Sequence, residues 1–252
     1  MRTPEETLEI TLEMAEKKIH KPLESKLILG FIGGAMIALG YLAYVRVIAS
    51  VVEEWGGFAS FIGACVFPVG LIVILLAGGE LITGNMMVIS AGLFAKKLTL
   101  TDLLKNWTVI TFGNILGALF VSYFFGDVVG LLTSGDYLTE ALAVANAKIS
   151  ATPLQAFISG IGCNWFVGLA LWLCYAAKDG AGKILAIWFP VMTFVAIGFQ
   201  HSVANVFIVS FAVILGKATL MQLLGNFAFV YLGNIVGAAV FISLFYIKAY
   251  RH

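Results

Sequence analysis

Charged residues are scarce in this sequence: Asp, Glu, Lys and Arg make up 12% of its 252 residues, whereas 61% are hydrophobic. A soluble domain usually carries about 25% charged residues. A water-soluble fold cannot hide this much apolar surface in its interior, so the solvent around the chain must be lipid. The net charge of +1 comes without a basic domain, so nucleic acid is not an expected partner.

Groups that could form a metal centre or a catalytic site are also missing. The three cysteines, Cys65, Cys163 and Cys174, lie in apolar runs without metal-ligand spacing, and we interpret them as small buried hydrophobic residues. The apolar segments contain one histidine, His201, and one acid, Glu80, but no metal-ligand cluster and no nucleophile triad. The sequence therefore predicts that the protein is not an enzyme and has no cofactor or metal.

What is abundant is long apolar sequence. Six segments reach the length of about 20 residues that a membrane-spanning helix needs. They are Leu27–Ala49, Phe58–Leu76 continuing to Leu93, Trp107–Phe125, Leu154–Ala177, Ile184–Ile197 continuing to Leu215, and Phe227–Ile247. The second and fifth are too long for one plain helix, and glycines with polar residues interrupt them at Gly78-Gly79-Glu80 and at Gly198-Phe199-Gln200-His201-Ser202. We therefore expect an all-α membrane protein in which two of the six helices are broken.

The distribution of basic residues predicts the orientation. With both termini in the cytoplasm, twelve Lys and Arg residues lie inside, and the three outside are Arg46, Lys148 and Lys217. The loop at residues 51–57 carries Glu53 and Glu54 without any Lys or Arg, as expected for an outside loop. Residues 1–26 are predicted to form a cytoplasmic amphipathic helix that begins at a Thr3 cap and lies on the membrane or on the protein itself.

The chain repeats itself, which predicts a symmetric architecture. Phe112-Gly113-Asn114-Ile115-Leu116-Gly117-Ala118 recurs 120 residues later as Leu232-Gly233-Asn234-Ile235-Val236-Gly237-Ala238, and Val66-Phe67-Pro68-Val69 recurs as Trp188-Phe189-Pro190-Val191. Each repeat, residues 27–125 and 154–247, holds three spans, so the second enters the membrane from the opposite side. Inverted repeats with discontinuous helices are typical of transport proteins. We expect a single transmembrane domain over 1–252, in which glycines at four-residue spacing (Gly30/Gly34, Gly113/Gly117, Gly233/Gly237) allow close helix packing.

The two breaks are the predicted site. Broken helices persist in a membrane where they line a cavity or are buried in protein, and helix N-termini favour anions. His201 lies at a break and is predicted to act there as a hydrogen-bond donor or as a proton relay. Glu80 is interpreted as an acceptor for the backbone N–H groups freed at its own break. Lys148 is either a solvated loop lysine or an attractor of anions at the outer mouth.

At this point the residues resemble a known family. Ala77-Gly78-Gly79-Glu80-Leu81-Ile82-Thr83, Gly198-Phe199-Gln200-His201-Ser202-Val203-Ala204-Asn205 and Gly162-Cys163-Asn164-Trp165 are similar to segments of the formate/nitrite transporter family. The resemblance covers about residues 4–249. It implies an aquaporin-like fold, homopentamers with one pore in each protomer, and transport of formate, nitrite, hydrosulfide or related small monocarboxylates across the cell membrane.

The resemblance also implies roles for individual residues. His201 would be the central pore histidine, with Thr83 opposite and Asn164 and Asn205 nearby, and Lys148 would support the pore electrostatically. The hydrophobic constrictions would be lined by Phe67, Leu71, Leu81, Val167 and Phe194. Gln200 departs from the family, many of whose members have Glu before this histidine.

The function expected from these observations is passage of small monovalent anions of weak acids, with His201 as the candidate for a link to proton transfer. A bare anion in dry, low-dielectric surroundings costs on the order of 20 kcal/mol, and protonating the anion removes much of that cost. The alternative is an aquaporin-like channel for small neutral solutes. None of the five prolines follows an Asn, so the Asn-Pro-Ala pairs of aquaporins are absent.

Overall fold

The computed structural model describes residues 1–51, 55 and 57–251, so the predicted outside pair Glu53 and Glu54 lies outside the described residues. The described residues form twelve α-helices and two π-helical stretches, without a β-strand. Six helical segments are long and apolar enough to cross a membrane: Leu23–Ile48, Gly57–Leu76, Leu100–Val128, Pro153–Ala176, Gly180–Ile197 and Leu220–Tyr250. The predicted six-span, all-α architecture is confirmed, although the first span begins at Leu23 rather than at Leu27.

The N-terminal helix α1 packs on the protein. It covers Pro4–His20, and its start carries the predicted capping box, in which Glu6 N–H donates to Thr3 Oγ1 and Thr3 N–H donates to Glu6. The apolar face of α1, with Leu8, Leu12 and Ala15, is buried, and the helix contacts α5 and α8 described below. The sequence left open whether α1 lies on the membrane or on the protein itself, and in the structure it packs on the protein.

The two halves place their helices in the same order. The first half consists of α2 (Leu23–Ile48), α3 (Gly57–Val66), α4 (Val69–Leu76), α5 (Ile82–Phe94) and α6 (Leu100–Phe120), which continues as a π-helix over Val121–Val128. The second consists of α8 (Pro153–Ala176), α9 (Gly180–Ile197), α10 (Ser202–Ile214) and α11 (Leu220–Ala238), which continues as a π-helix over Ala239–Leu244 and as α12 over Phe245–Tyr250. Helix α7 (Gly135–Ile149) lies between the halves, in a stretch predicted to be a loop.

The halves differ at their repeated prolines. Pro68 separates α3 from α4, whereas its counterpart Pro190 lies inside an uninterrupted α9. The indole N–H of Trp188, on α9, donates to the carbonyl of Cys65 at 2.8 Å, near the end of α3. A carbonyl at a helix end has no partner within its helix, so this bond satisfies a group that the interruption exposes.

Glycines bring the first and third helices of each half into direct backbone contact. A Cβ atom on Gly34 of α2 would lie 2.0 Å from the Asn114 carbonyl oxygen, and one on Gly117 would lie 2.1 Å from that of Phe31. In the second half, a Cβ on Gly233 would lie 2.0 Å from the carbonyl oxygen of Phe157. The predicted packing role of the spaced glycines is confirmed, because no larger residue fits at these crossings.

Both long apolar segments are broken, as predicted. Gly78 and Gly198 adopt positive φ angles of 109° and 88°, which favour glycine, and helices α5 and α10 begin a few residues later. Each of these helices has 13 residues, or about 20 Å of length, which is shorter than the bilayer's hydrocarbon core. Residues 82–92 and 202–212 are all buried, so the protein and not lipid surrounds the broken helices.

Candidate functional site

A buried asparagine holds the first break together. The Asn114 side chain, on α6, accepts from the N–H of Ile82 at 2.8 Å. Its amide donates to the carbonyl oxygens of Gly30 at 2.7 Å and of Glu80 at 2.8 Å. One side chain thus satisfies groups on both sides of the break and ties them to α2, which keeps the N-terminus of α5 in place.

The second break has the same arrangement. The Asn234 side chain, on α11, accepts from the N–H of Ser202 at 3.0 Å. Its amide donates to the carbonyl oxygens of Gly160 at 2.8 Å and of Gln200 at 3.3 Å. The inverted repeat therefore extends from helix order down to individual hydrogen bonds.

Glu80 does not have the predicted role. Asn114, and not the Glu80 carboxylate, accepts the N–H freed at the first break. The carboxylate instead contacts two lysines, Lys18 of α1 at 2.5 Å and Lys21 at 2.7 Å. The side chain of Glu80 is 1% exposed, and burying a carboxylate without a partner of opposite charge is costly. The backbone N–H has another acceptor in Asn114, so the carboxylate is available to pair with the lysines. The prediction was therefore wrong, and the carboxylate fastens the N-terminal segment to the first break.

The N-termini of α5 and α10 meet at Thr83 and His201. The Thr83 hydroxyl and His201 Nε2 are 2.9 Å apart, and both residues are buried. His201 is also the N-cap of α10, because its Nδ1 accepts from the N–H of Ala204 at 3.2 Å. A nitrogen that accepts carries no proton, so the neutral imidazole has its proton on Nε2 and donates it to Thr83. The Thr83 hydroxyl keeps its own proton in this arrangement, although Thr83 is fully buried and lines neither of the two cavities described next.

His201 lies on the wall of a chamber of about 160 Å³, here called the polar chamber. Lys148 and Asn205, two further predicted site residues, line the same chamber. Aromatic and apolar residues form most of the remaining wall: Tyr41, Tyr44, Phe67, Val144, Ala147, Phe194, Val195, Gly198, Phe199 and Ala204. The chamber thus combines an apolar wall with a few convergent polar groups, which is typical of sites for small ligands.

Lys148 lies in the last turn of α7 and not in a loop. Its side chain is half-buried, and its ammonium nitrogen lies 3.5 Å from the carbonyl oxygen of Gly198 at the second break. None of the ion pairs among the described residues involves Lys148. Burial lowers the pKa of Lys148 below the usual range for lysine. This position places a positive charge at the wall of the polar chamber, with no ion-pair partner in the described part of the chain.

A closed network of amides supports this wall. Gln200 Oε1 accepts from the side-chain amides of Asn205 at 2.7 Å and Asn226 at 2.8 Å. Asn226 also donates to the backbone carbonyl of Lys148 at 2.8 Å. At position 200, where many members of the resembled family have Glu, this chain therefore has the neutral side chain of Gln200, which amide donors hold in place.

Next to the polar chamber lies a narrow apolar cavity of about 10 Å³. All five predicted constriction residues line it, namely Phe67, Leu71, Leu81, Val167 and Phe194, together with Ile37, Val191 and His201. The rings of Phe67 and Phe194 line both spaces, with their centroids 5.8 Å apart in an edge-on arrangement. A single water needs roughly 10–15 Å³, so this section is closed to anything larger.

Asn164 lies behind the site and not on the wall of either cavity. Its amide donates to the backbone carbonyl of Thr83 at 3.2 Å and to that of Asn234 at 2.8 Å. Asn164 therefore links the two halves and fixes the backbone that carries Thr83, without reaching His201.

Several residues of the site were missed from the sequence. Asn114 and Asn234 were visible in the repeated Gly-Asn pairs, and their spacing from the breaks could have indicated their role. Tyr41 and Tyr44, which line the polar chamber, carry no pattern that separates them from other aromatic residues of a span. Among the described residues, no cluster of three or more His, Cys, Asp or Glu could hold a metal ion.

Comparison with known proteins places this chain in a family. A family model described as formate/nitrite transporter matches residues 5–248. The chain is 53% identical to the uncharacterized transporter YrhG of Bacillus subtilis, over 99% of this chain and 94% of that protein. It is 48% identical to the formate channel BtFdhC of Bacillus thuringiensis, over 98% of this chain and 95% of that protein.

Solved structures share the fold. An ion channel of the same family superposes with a TM-score of 0.89 at 26% identity, covering 96% of this chain and 98% of the other. A pentameric formate channel with formate bound superposes with a TM-score of 0.78 at 27% identity, covering 91% and 98%. These matches span nearly the whole length of both partners, and this multi-pass membrane protein belongs to the formate/nitrite transporter family.

Proposed function

We propose that this chain conducts small monovalent anions of weak acids across the cell membrane, with formate as the foremost substrate. The observation that carries the proposal is the contact between Thr83 and His201 at the meeting point of two helix N-termini, beside a chamber that also holds Lys148. The relatives named formate channels support formate in particular. Nitrite and hydrosulfide are conjugate bases of weak acids too, and we propose them as further substrates.

Electrostatics favours an anion in the polar chamber. Two helix N-termini and one lysine supply positive potential, and the acidic side chain at the first break, Glu80, is paired with Lys18 and Lys21. Asn205, whose amide is oriented by Gln200, adds a polar group to the wall. In this proposal Lys148 draws the anion in, and the hydroxyl of Thr83, kept in place by Asn164, donates a hydrogen bond to it.

His201 acts in this scheme as a hydrogen-bond donor through Thr83 and not as the source of a transferred proton. Protonating Nδ1 would break the bond from Ala204 N–H and would place a second positive charge at the start of α10. The proton that neutralises the anion therefore comes from hydronium that reaches the polar chamber from the bulk solution, and neutral water is left behind. The neutral acid HA, formed from A⁻ and a proton, then crosses the apolar cavity without the desolvation cost of an ion.

The apolar cavity is proposed to be the barrier that only the small neutral acid passes. Phe67 and Phe194 close it towards the polar chamber, whereas Leu71, Leu81 and Val167 form its other walls. Since the cavity has room for about one water, passage requires these side chains to move.

For the assembly we propose a homopentamer in the cell membrane, with a separate pore in each protomer and both termini in the cytoplasm. A solved neighbour is a pentameric formate channel, and the basic residues of this chain are concentrated in the segments assigned to the cytoplasm.

The proposal is tested by solute uptake into proteoliposomes. Formate, nitrite and hydrosulfide are expected to enter much faster than into protein-free liposomes, whereas glycerol is not. The variant His201→Asn, whose side chain can still cap α10, is expected to lose formate uptake at least tenfold. Rapid glycerol entry without anion entry would instead support an aquaporin-like channel, and unchanged uptake by His201→Asn would refute the role of the imidazole.

A further inference from the structure

The inverted repeat lets one half of the molecule serve as a reference for the other. Glu80, Asn85 and Asn106 of the first half correspond to Gln200, Asn205 and Asn226 of the second, each 120 residues later. The hydrogen bonds by which Asn114 and Asn234 hold the two breaks are the same in both halves, as shown above. Differences between the two triplets of side chains therefore stand out against a common framework.

In the second half the triplet is connected. Gln200 Oε1 accepts from Asn205 at 2.7 Å and from Asn226 at 2.8 Å, and Asn205 donates to Asn226 Oδ1 at 2.8 Å. The side-chain oxygen at position 200 thus lies between two amide donors.

In the first half the triplet is divided. Asn85 donates to Asn106 Oδ1 at 2.9 Å, as in the second half, but the Glu80 carboxylate points to Lys18 and Lys21 instead. Asn106 Nδ2 and Asn85 Oδ1 are buried and have no hydrogen-bond partner within the described part of the chain. Turning both amides over would exchange donor and acceptor but would still leave one of each unpaired. Unpaired buried amides are rare enough to require an explanation.

We propose that the Glu80 side chain has a second position between the amides of Asn85 and Asn106, equivalent to that of Gln200, and that it moves there when α1 undocks. The backbone of Glu80 need not move. Its N–H donates to the Leu29 carbonyl at 2.9 Å and its carbonyl accepts from Asn114 at 2.8 Å, so a change of side-chain torsions is sufficient.

The second position of the Glu80 side chain explains why the buried amides of Asn85 and Asn106 are unpaired while α1 is docked. Removing Lys18 and Lys21 from a buried carboxylate is strongly unfavourable if nothing replaces them. Amide donors that take over the carboxylate reduce this cost, because hydrogen bonds from N–H groups stabilise an ionised oxygen. The amide pair therefore makes undocking of α1 accessible and links the position of α1 to the first break. This inference goes beyond the proposed function and does not depend on which anion passes.

The variant Asn106→Leu tests the inference, because it removes the second position while leaving the two ion pairs of Glu80 in place. The measurement is hydrogen exchange of the α1 backbone amides in the intact purified protein, followed by mass spectrometry. Exchange in α1 is expected to slow at least tenfold, because the open state loses the amide that donates to the carboxylate. The matched variant Asn226→Leu, in the other half, is expected to leave α1 exchange unchanged.

Unchanged or faster α1 exchange in Asn106→Leu would overturn the inference. The structure of the double variant Lys18→Gln/Lys21→Gln provides an independent check that does not depend on how Asn106→Leu folds. The Glu80 carboxylate is expected within hydrogen-bond distance of the Asn106 amide. A carboxylate that still points towards α1, or a water molecule in its place between the amides, would overturn it as well.

Discussion

Replacing Asn114 by leucine tests how the breaks are stabilised. The side chain is fully buried and makes three hydrogen bonds, of 2.7, 2.8 and 2.8 Å. The substitution leaves the Ile82 N–H and the Glu80 carbonyl buried without another hydrogen bond among the described residues. Each such group costs about 1–3 kcal/mol, so we expect a loss of about 2–6 kcal/mol in the free energy of unfolding. Leucine has the branching of asparagine but a larger volume, so the control must carry the same increase in size.

The measurement is equilibrium unfolding of the purified protein in bicelles, with Asn106→Leu as the control. Asn106 is buried in the same helix, but its side chain makes one hydrogen bond and leaves its own donor unpaired. We expect its replacement to change the free energy of unfolding by less than about 1 kcal/mol. If Asn114→Leu were as stable as Asn106→Leu, the hydrogen bonds of Asn114 would not be what holds the break, and the argument from unpaired backbone groups would fail.

Three further predictions concern the chamber, the cavity and the helix crossings. Burial lowers the pKa of Lys148, so its charge is lost at a lower pH than the charge of an ordinary lysine, whose pKa is about 10.4. Formate uptake should therefore fall on the alkaline side. Lys148→Arg should keep uptake high there, and equal pH profiles of the two proteins would count against the role of this charge. Leu81→Ala enlarges the apolar cavity and should speed lactate uptake several-fold in proteoliposomes, and uptake identical to wild type would place the barrier elsewhere. Gly117→Leu puts a side chain where even a Cβ lies 2.1 Å from a carbonyl oxygen, so size-exclusion chromatography should show little folded protein, and a normal monodisperse yield would contradict the packing.

The parts of the fold that depend on local composition could be predicted from the sequence. The six spans follow from apolar length, and the two breaks follow from glycines beside polar residues within those spans. The repeat was readable because both halves keep Gly-Asn pairs and prolines in the same order. These features are set by neighbouring residues and by the lipid solvent, which act in the same way wherever the segment lies.

The parts that depend on distant partners could not be predicted. Glu80 was assigned to its own break because its partners, Lys18 and Lys21, lie 62 and 59 residues away and follow no pattern with it. Helix α7 was missed because its residues lack the long apolar run by which the spans were recognised. The π-helical ends of α6 and α11 leave no signal in composition either. Among the predicted site residues, Asn164 supports the Thr83 backbone and does not line a cavity, a distinction that requires coordinates.

The central claim is that an anion stops where Thr83 and His201 meet, and formate uptake by Thr83 variants tests it most directly. Thr83→Val keeps the shape of the side chain but removes the hydroxyl that bonds His201 Nε2, whereas Thr83→Ser keeps the hydroxyl. A hydrogen bond to a charged group is worth about 1.5–3 kcal/mol, and about 1.4 kcal/mol corresponds to a factor of ten. The account predicts that proteoliposomes with Thr83→Val take up formate at least tenfold more slowly than wild type, while Thr83→Ser stays close to it. Wild-type uptake by Thr83→Val would contradict the account.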